Sequence, residues 1–259
     1  EGGKAGDNKL AKLLIDVCRS QSVAVFGNVS IAILLACAIS FGYAHLHQQP
    51  ILDAHTTAYQ FKSIDIINHP TLWYAAIAGL WLFCSGIIAG FFDNRADYLN
   101  LRQRLPFNPL LRKIMRPKPR RVLAAYIHKH YGSLVGNFIF GMLLGMTGYF
   151  GHLLGLPLDI RHVAFSSANL GYAAVSGNVG FGTFMLGICS VLAIGLVNLI
   201  VSFTLALFVA LRSRGTKIGS VGNLCKSFWQ QIKANPLILF FPVTPVQTKE
   251  PVKEQGEKH

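Results

Sequence analysis

Asp159-Ile160-Arg161-His162 places a carboxylate, a guanidinium and an imidazole between two apolar segments. Ser166, Ser167 and Asn169 follow within about two helical turns. Ionisable groups near bilayer depth are costly to desolvate, so they tend to be paired or functional. Asp159 could pair with Arg161, or cap a helix beginning near Ile160. Arg161 and His162 at the start of that helix would oppose its dipole, so some partner is needed. The functional alternative is a binding or transport site built around an unwound segment. A catalytic alternative would use Asp159 and the outer-face histidines.

A second group is purely basic: Arg112-Lys113-Ile-Met-Arg116-Pro-Lys118-Pro-Arg120-Arg121. Beside a membrane, such a run favours anionic headgroups at roughly 1 kcal/mol per charge. DNA is the other anionic partner to consider. The run lacks the interleaved aromatics of a single-strand platform. It is also too broken by proline to serve as a recognition helix.

A third group is His45, His47, His55, His69, His152 and His162, with Asp53 and Asp65 in the same outer region. Imidazoles with carboxylates can hold a divalent metal, but this spacing fits no zinc pattern. A solvated loop is the simpler reading, so no metal or cofactor is expected. Cys18, Cys37, Cys84, Cys189 and Cys225 form no CxxC and read as free thiols packed as small apolar residues.

The elements around these groups follow from composition. The 259 residues are 52% hydrophobic and only 14% charged, against about 25% charged in a soluble domain. Mean hydropathy is +0.42. This excludes a disordered chain, a collagen-like chain and an ordinary soluble enzyme domain. A spanning helix needs about 20 mostly apolar residues, and four stretches qualify: 23–44, 71–92, 133–155 and 182–211. The expected fold is therefore an all-α integral membrane protein with about four transmembrane helices. The shorter, polar-flecked 163–177 is expected as a re-entrant or interfacial helix.

Charge sets the orientation. Residues 93–132 hold ten Lys/Arg, and all 24 Lys+Arg except Lys62 and Arg161 fall on one side of a four-span arrangement. The positive-inside rule makes that side cytoplasmic, with both termini inside. A fifth crossing at 163–177 would put the basic C-terminal tail outside. The expected organisation has an amphipathic cytoplasmic lead-in at 1–22, an outside loop at 45–70 and a basic cytoplasmic loop at 93–132. Pro106, Pro109, Pro117 and Pro119 are expected to break any long helix in that basic loop. A basic cytoplasmic tail covers 212–259 and is disordered after about 247.

Small residues four apart recur at Gly86/Gly90, Gly132/Gly136, Gly141/Gly145 and Gly151/Gly155. They suggest close packing of spans two, three and four, a bend in a solute pathway, or helix-mediated homo-oligomers.

Four blocks resemble a known family. They are Cys18-Arg-Ser-Gln-Ser-Val-Ala-Val-Phe-Gly-Asn28, Trp73-Tyr-Ala-Ala-Ile-Ala-Gly79 running on to Gly90-Phe-Phe-Asp-Asn94, Gly136-Asn-Phe-Ile-Phe-Gly-Met-Leu-Leu-Gly145, and Gly155-Leu-Pro-Leu-Asp-Ile-Arg-His162-Val-Ala-Phe-Ser-Ser-Ala-Asn169. Over most of residues 10–240 the chain resembles the bacterial multi-pass membrane proteins labelled site-specific recombinase. Members are much longer, so the resemblance implies the C-terminal part of such a protein in the bacterial inner membrane. The start at Glu1 rather than Met agrees with that expectation. A tyrosine recombinase needs a Tyr nucleophile with an Arg/His cluster on a soluble domain, and His-x-x-Arg does not occur in this sequence. The expectation is a membrane-anchoring part with no catalytic residue of its own. The alternatives are a small-solute or ion transporter using the Asp-Ile-Arg-His segment, and an outer-face membrane enzyme.

Overall fold

A computed structural model describes residues 2–213 and 221–239. The described residues are helical with no strand. Eleven elements follow in order: α1 (Gly2–His47), α2 (Ala54–Ile64), α3 (Thr71–Tyr98), α4 (Leu101–Arg104), a 3-10 turn (Leu105–Phe107), α5 (Pro109–Ile114), α6 (Pro117–Leu154), α7 (Val163–Ser176), α8 (Phe181–Ser213), α9 (Val221–Ala234) and a final 3-10 turn (Pro236–Leu239).

Four helices are long and apolar enough to cross a membrane: α1 over Leu14–His47, α3, α6, and α8 over Phe181–Ala210. Their most apolar windows are only 17%, 22%, 22% and 28% buried within the protein. Leu34, Phe41, Phe138, Ile200 and Phe208 are all exposed. So much uncovered apolar surface in one chain is explained by lipid contact.

The helix ends differ from expectation in an instructive way. Pro117 and Pro119 do not break a helix. Pro117 is the first residue of α6 and Pro119 lies in its first turn, where no backbone N–H donor is required. Pro109 starts α5 in the same way, with the Asn108 side chain accepting from the Leu110 and Leu111 N–H groups. The stretch 93–132 is accordingly helical over most of its length. Residues 45–70 also contain a helix, α2, whose N-terminus is capped by Asp53 Oδ1 accepting from Thr56 N–H at 2.8 Å.

The described residues fall into two compact units, one within 25–213 and the other within 2–24 and 221–239. In the smaller unit, Ala11 and Ile15 are fully buried and Arg19 pairs with Asp16 at 2.9 Å. Residues 214–220 and 240–259 of the expected tail lie outside the described residues.

The core of the larger unit gathers around α7. Val29 and Ile33 of α1, Ile64 of α2, Ala75 of α3, Val163 and Leu170 of α7, and Val191 and Ile194 of α8 form one buried cluster. Glycines permit the close approaches. A Cβ on Gly171 would lie 2.7 Å from Ala36 Cβ, and one on Gly79 would lie 2.9 Å from the Asn198 carbonyl oxygen. Gly132 and Gly136 bring α6 against Ala89 and Ser85 of α3. Trp81 Nε1 adds a hydrogen bond to Thr147 Oγ1 at 2.9 Å between the same helices.

The other regularly spaced glycines are different. Gly86, Gly90, Gly141 and Gly145 have nothing within 4 Å of where a Cβ would be. Gly141 is five residues beyond Gly136, about 140° further round the helix, so it leaves the α3-facing side. The expected close packing of spans therefore holds at only some of the four-residue repeats.

Candidate functional site: the polar knot before the short helix

The segment 155–162 leaves α6 through Gly155, which adopts φ +63°, a left-handed conformation natural to glycine at a helix C-terminus. The chain then runs extended into α7. Gly151 lets the returning Leu158 backbone lie directly against α6, since a Cβ there would overlap the Leu158 carbonyl.

Asp159 and Arg161 do pair, with Nη1 to Oδ2 at 2.7 Å. Asp159 does not cap α7, because the cap position belongs to His162 and is made without a side-chain hydrogen bond. Asp159 Oδ1 instead accepts from the Ile160 N–H at 2.7 Å.

The partner that Arg161 requires is the C-terminal end of α2. Arg161 Nε donates to the Ser63 carbonyl at 2.7 Å, and Nη1 donates to the Ile160 carbonyl at 2.8 Å. A cation at a helix C-terminus complements the dipole and satisfies a free carbonyl. The guanidinium also lies 5.7 Å from the centroid of the Tyr74 ring. Thr71 Oγ1 holds the same helix end by donating to the Asp65 carbonyl at 2.6 Å.

The residue that organises the knot is Asn198 on α8, which is 2% exposed. Its Nδ2 donates to the Ala75 carbonyl at 2.7 Å and to the Arg161 carbonyl at 3.0 Å. Its Oδ1 accepts from the Val163 N–H at 3.0 Å, satisfying a donor at the start of α7. One amide thus ties α3, the 161–163 turn and α8 together. Sequence reasoning missed it. The available signal was a lone Asn inside the 182–211 apolar run, since a polar side chain there needs partners on neighbouring helices.

The other expected residues occupy distinct environments. His162 packs edge-on to Phe140 and Phe165, with ring centroids 5.2 and 5.8 Å away. Ser166 and Ser167 are buried, and Ser167 Oγ donates to the Val163 carbonyl at 2.6 Å. Asn169 is half-buried on the same helix. At the far end of α7, Ser176 Oγ lies 3.4 Å from Ser40 Oγ and accepts from the Leu52 N–H at 3.3 Å.

The histidines of the third group do not converge. Among the described residues no three His, Cys, Asp or Glu side chains are placed to hold a metal ion. Asp53 and Asp65 are instead occupied by turns. The Thr56 interaction lowers the Asp53 pKa, and the Asn68 side chain, followed by the Ile67 and Asn68 N–H groups, lowers that of Asp65.

The basic run is divided between elements. Arg112 and Lys113 lie on α5, Arg116 caps α6, and Lys118, Arg120 and Arg121 lie in the first turns of α6. All are exposed except Arg120, which is half-buried. Phe107, Leu110, Ile114 and Val122 are exposed among them, at 69%, 69%, 77% and 70%.

The family model described as site-specific recombinase matches residues 1–242. The chain belongs to that family. Neither a curated protein nor a solved structure matches it. In this member of the family the described residues contain no strand and include four apolar helices of spanning length.

Proposed function

We propose that this chain is the membrane-anchoring module of a recombinase-family protein in the bacterial inner membrane, with both termini cytoplasmic. In this reading α7 is a re-entrant helix and the 159–169 cluster is structural. The exposed basic and apolar residues of 107–122 lie against anionic headgroups on the cytoplasmic face. One observation carries the reading. Arg161 is engaged at once by Asp159, the Ser63 and Ile160 carbonyls and Tyr74, all within the protein.

Other features agree with it. At about 1.5 Å per residue the 14 residues of α7 reach about 21 Å, short of a hydrocarbon core about 30 Å thick. Arg or Lys beside exposed Phe, Leu and Ile is the composition of a segment lying in the interface plane.

The test is an environment-sensitive fluorophore at Ile114→Cys in a background lacking the native cysteines, with the protein in nanodiscs. Its emission should shift to the blue when zwitterionic lipid is replaced by anionic lipid. The shift should shrink when Arg112, Lys113, Arg116 and Lys118 are neutralised. Retention of DNA in a low-salt shift assay, lost on the same neutralisation, would favour nucleic acid as the partner instead. Solute flux into proteoliposomes that is abolished by Asp159→Asn would favour a carrier.

A further inference from the structure

A cavity of about 450 Å³ lies where α3 ends and α6 begins, away from the polar knot. Asp93 and Asp97 of α3, Arg102 of α4, and Ala125, His128 and Lys129 of α6 line it. We propose that this cleft binds a primary ammonium and a phosphate held together in one small group. Phosphatidylethanolamine at the bilayer surface would supply that headgroup.

The charges argue for an amphoteric ligand. Two carboxylates and two basic side chains line one cavity. A simple anion would be repelled by Asp93 and Asp97, and a simple cation by Arg102 and Lys129. A group carrying both signs meets both pairs, and charge-assisted hydrogen bonds are the strong ones.

The lining is only partly satisfied from within. Asp93 Oδ1 accepts from the Gly132 N–H at 2.8 Å, and His128 Nε2 lies 3.4 Å from Asp97 Oδ1. The side chain of Asp97 is 78% exposed, leaving carboxylate capacity open to a ligand.

Position argues for a lipid source. Asp93 is the first charge after the apolar run 71–92, and Lys129 is the last before the run 133–155. In a spanning pair these residues stand at headgroup depth. Phe92 and Tyr131 meet edge-on at the same level, 5.4 Å apart, as aromatic side chains do at a membrane interface. Exposed Phe91 offers apolar surface for an acyl chain on the membrane side. This inference requires α3 and α6 to span the bilayer but does not depend on the role given to 107–122.

The experiment uses the full chain in nanodiscs of phosphatidylethanolamine with phosphatidylglycerol, or of phosphatidylcholine with phosphatidylglycerol. Choline keeps the charge but has no N–H to donate. Retained lipid after detergent washing is counted by mass spectrometry, and the thermal midpoint is measured. The wild type should retain phosphatidylethanolamine in preference to phosphatidylcholine and melt several degrees higher with it. Asp97→Asn and Lys129→Gln, both at exposed side chains, should each weaken retention about tenfold. Soluble phosphoethanolamine added to delipidated protein separates the two sources. Protection equal to that of the lipid assigns the site to a free ligand of the same chemistry, and protection by the lipid alone assigns it to the membrane. Equal retention of the two lipids without protection by the soluble headgroup, or variants that bind like the wild type, would overturn the proposal.

Discussion

Asn198 Oδ1 accepts the backbone N–H of Val163 at 3.0 Å, joining a side chain deep in α8 to the first residue of α7. The amide nitrogen of the same residue reaches the Ala75 and Arg161 carbonyls. A single polar side chain in an apolar helix therefore fixes where the 155–162 segment ends and the short helix begins.

Replacing it should be costly. Asn198→Leu removes three hydrogen bonds and orphans the Val163 N–H. The expected loss is about 1–3 kcal/mol, kept modest because interhelical hydrogen bonds in membranes average well below their ideal strength. Asn198→Asp should not rescue it, since a carboxylate accepts from Val163 but sets an acceptor oxygen against the Ala75 and Arg161 carbonyls. Thermal unfolding in detergent checks both, and a wild-type midpoint for Asn198→Leu would remove Asn198 from its organising role.

Arg161 should hold the end of α2 in place. Arg161→Lys keeps the charge but loses the planar fork and the stacking on Tyr74. The C-terminal turn of α2 should then open more often, and Lys62 on that turn should be cut faster by trypsin in intact reconstituted protein. Unchanged cleavage at Lys62 would mean that Thr71 holds the turn unaided.

The loop carboxylates give a pH prediction with a definite sign. Asp53 and Asp65 have pKa values lowered in the folded protein by the hydrogen bonds they accept. A lowered folded-state pKa contributes stability above the unfolded-state value of about 3.9, and that contribution is lost as pH falls through the folded-state value. Protease resistance of the 48–70 segment should be flat from pH 8 to about 5 and fall below about 4. Asp65→Asn should flatten part of that fall. A transition near neutral pH would assign the effect to other groups.

Two glycines in one helix should respond oppositely to the same change. A methyl at Gly132 would overlap the Ala89 carbonyl and Asp93, and such overpacking costs about 1–3 kcal/mol. A methyl at Gly141 meets nothing within 4 Å, so Gly141→Ala should be neutral to slightly stabilising. Equal destabilisation of the pair would mean that the Gly141 face packs against another molecule in the membrane.

How far these features can be read from sequence depends on the range of the interaction. The four spans were legible because an apolar run of about 20 residues has few other uses. The Asp159–Arg161 pair was legible because both partners lie in one short segment. Its other half was not, because the Ser63 carbonyl lies 98 positions away and a backbone oxygen carries no sequence signature. Pro117 opens α6 rather than breaking a helix, because a proline in isolation marks a helix start as well as a stop. The helix at 54–64 has a mixed composition without a continuous apolar run, so only Asp53 ahead of Thr56 marks it in the sequence, as a capping signal. Asn198 was hidden inside a span whose apolar average conceals one polar side chain.

The most direct test of the anchoring account is the side of the membrane on which two exposed positions lie. Ile67, 87% exposed before α3, and Lys113 on α5 are each replaced by Cys in a background without native cysteines. Intact bacterial cells permeable only across the outer membrane are treated with a membrane-impermeant maleimide. The account predicts that Ile67→Cys labels in intact cells and Lys113→Cys labels only after lysis. Labelling of Lys113→Cys in intact cells, with Ile67→Cys protected, would contradict it.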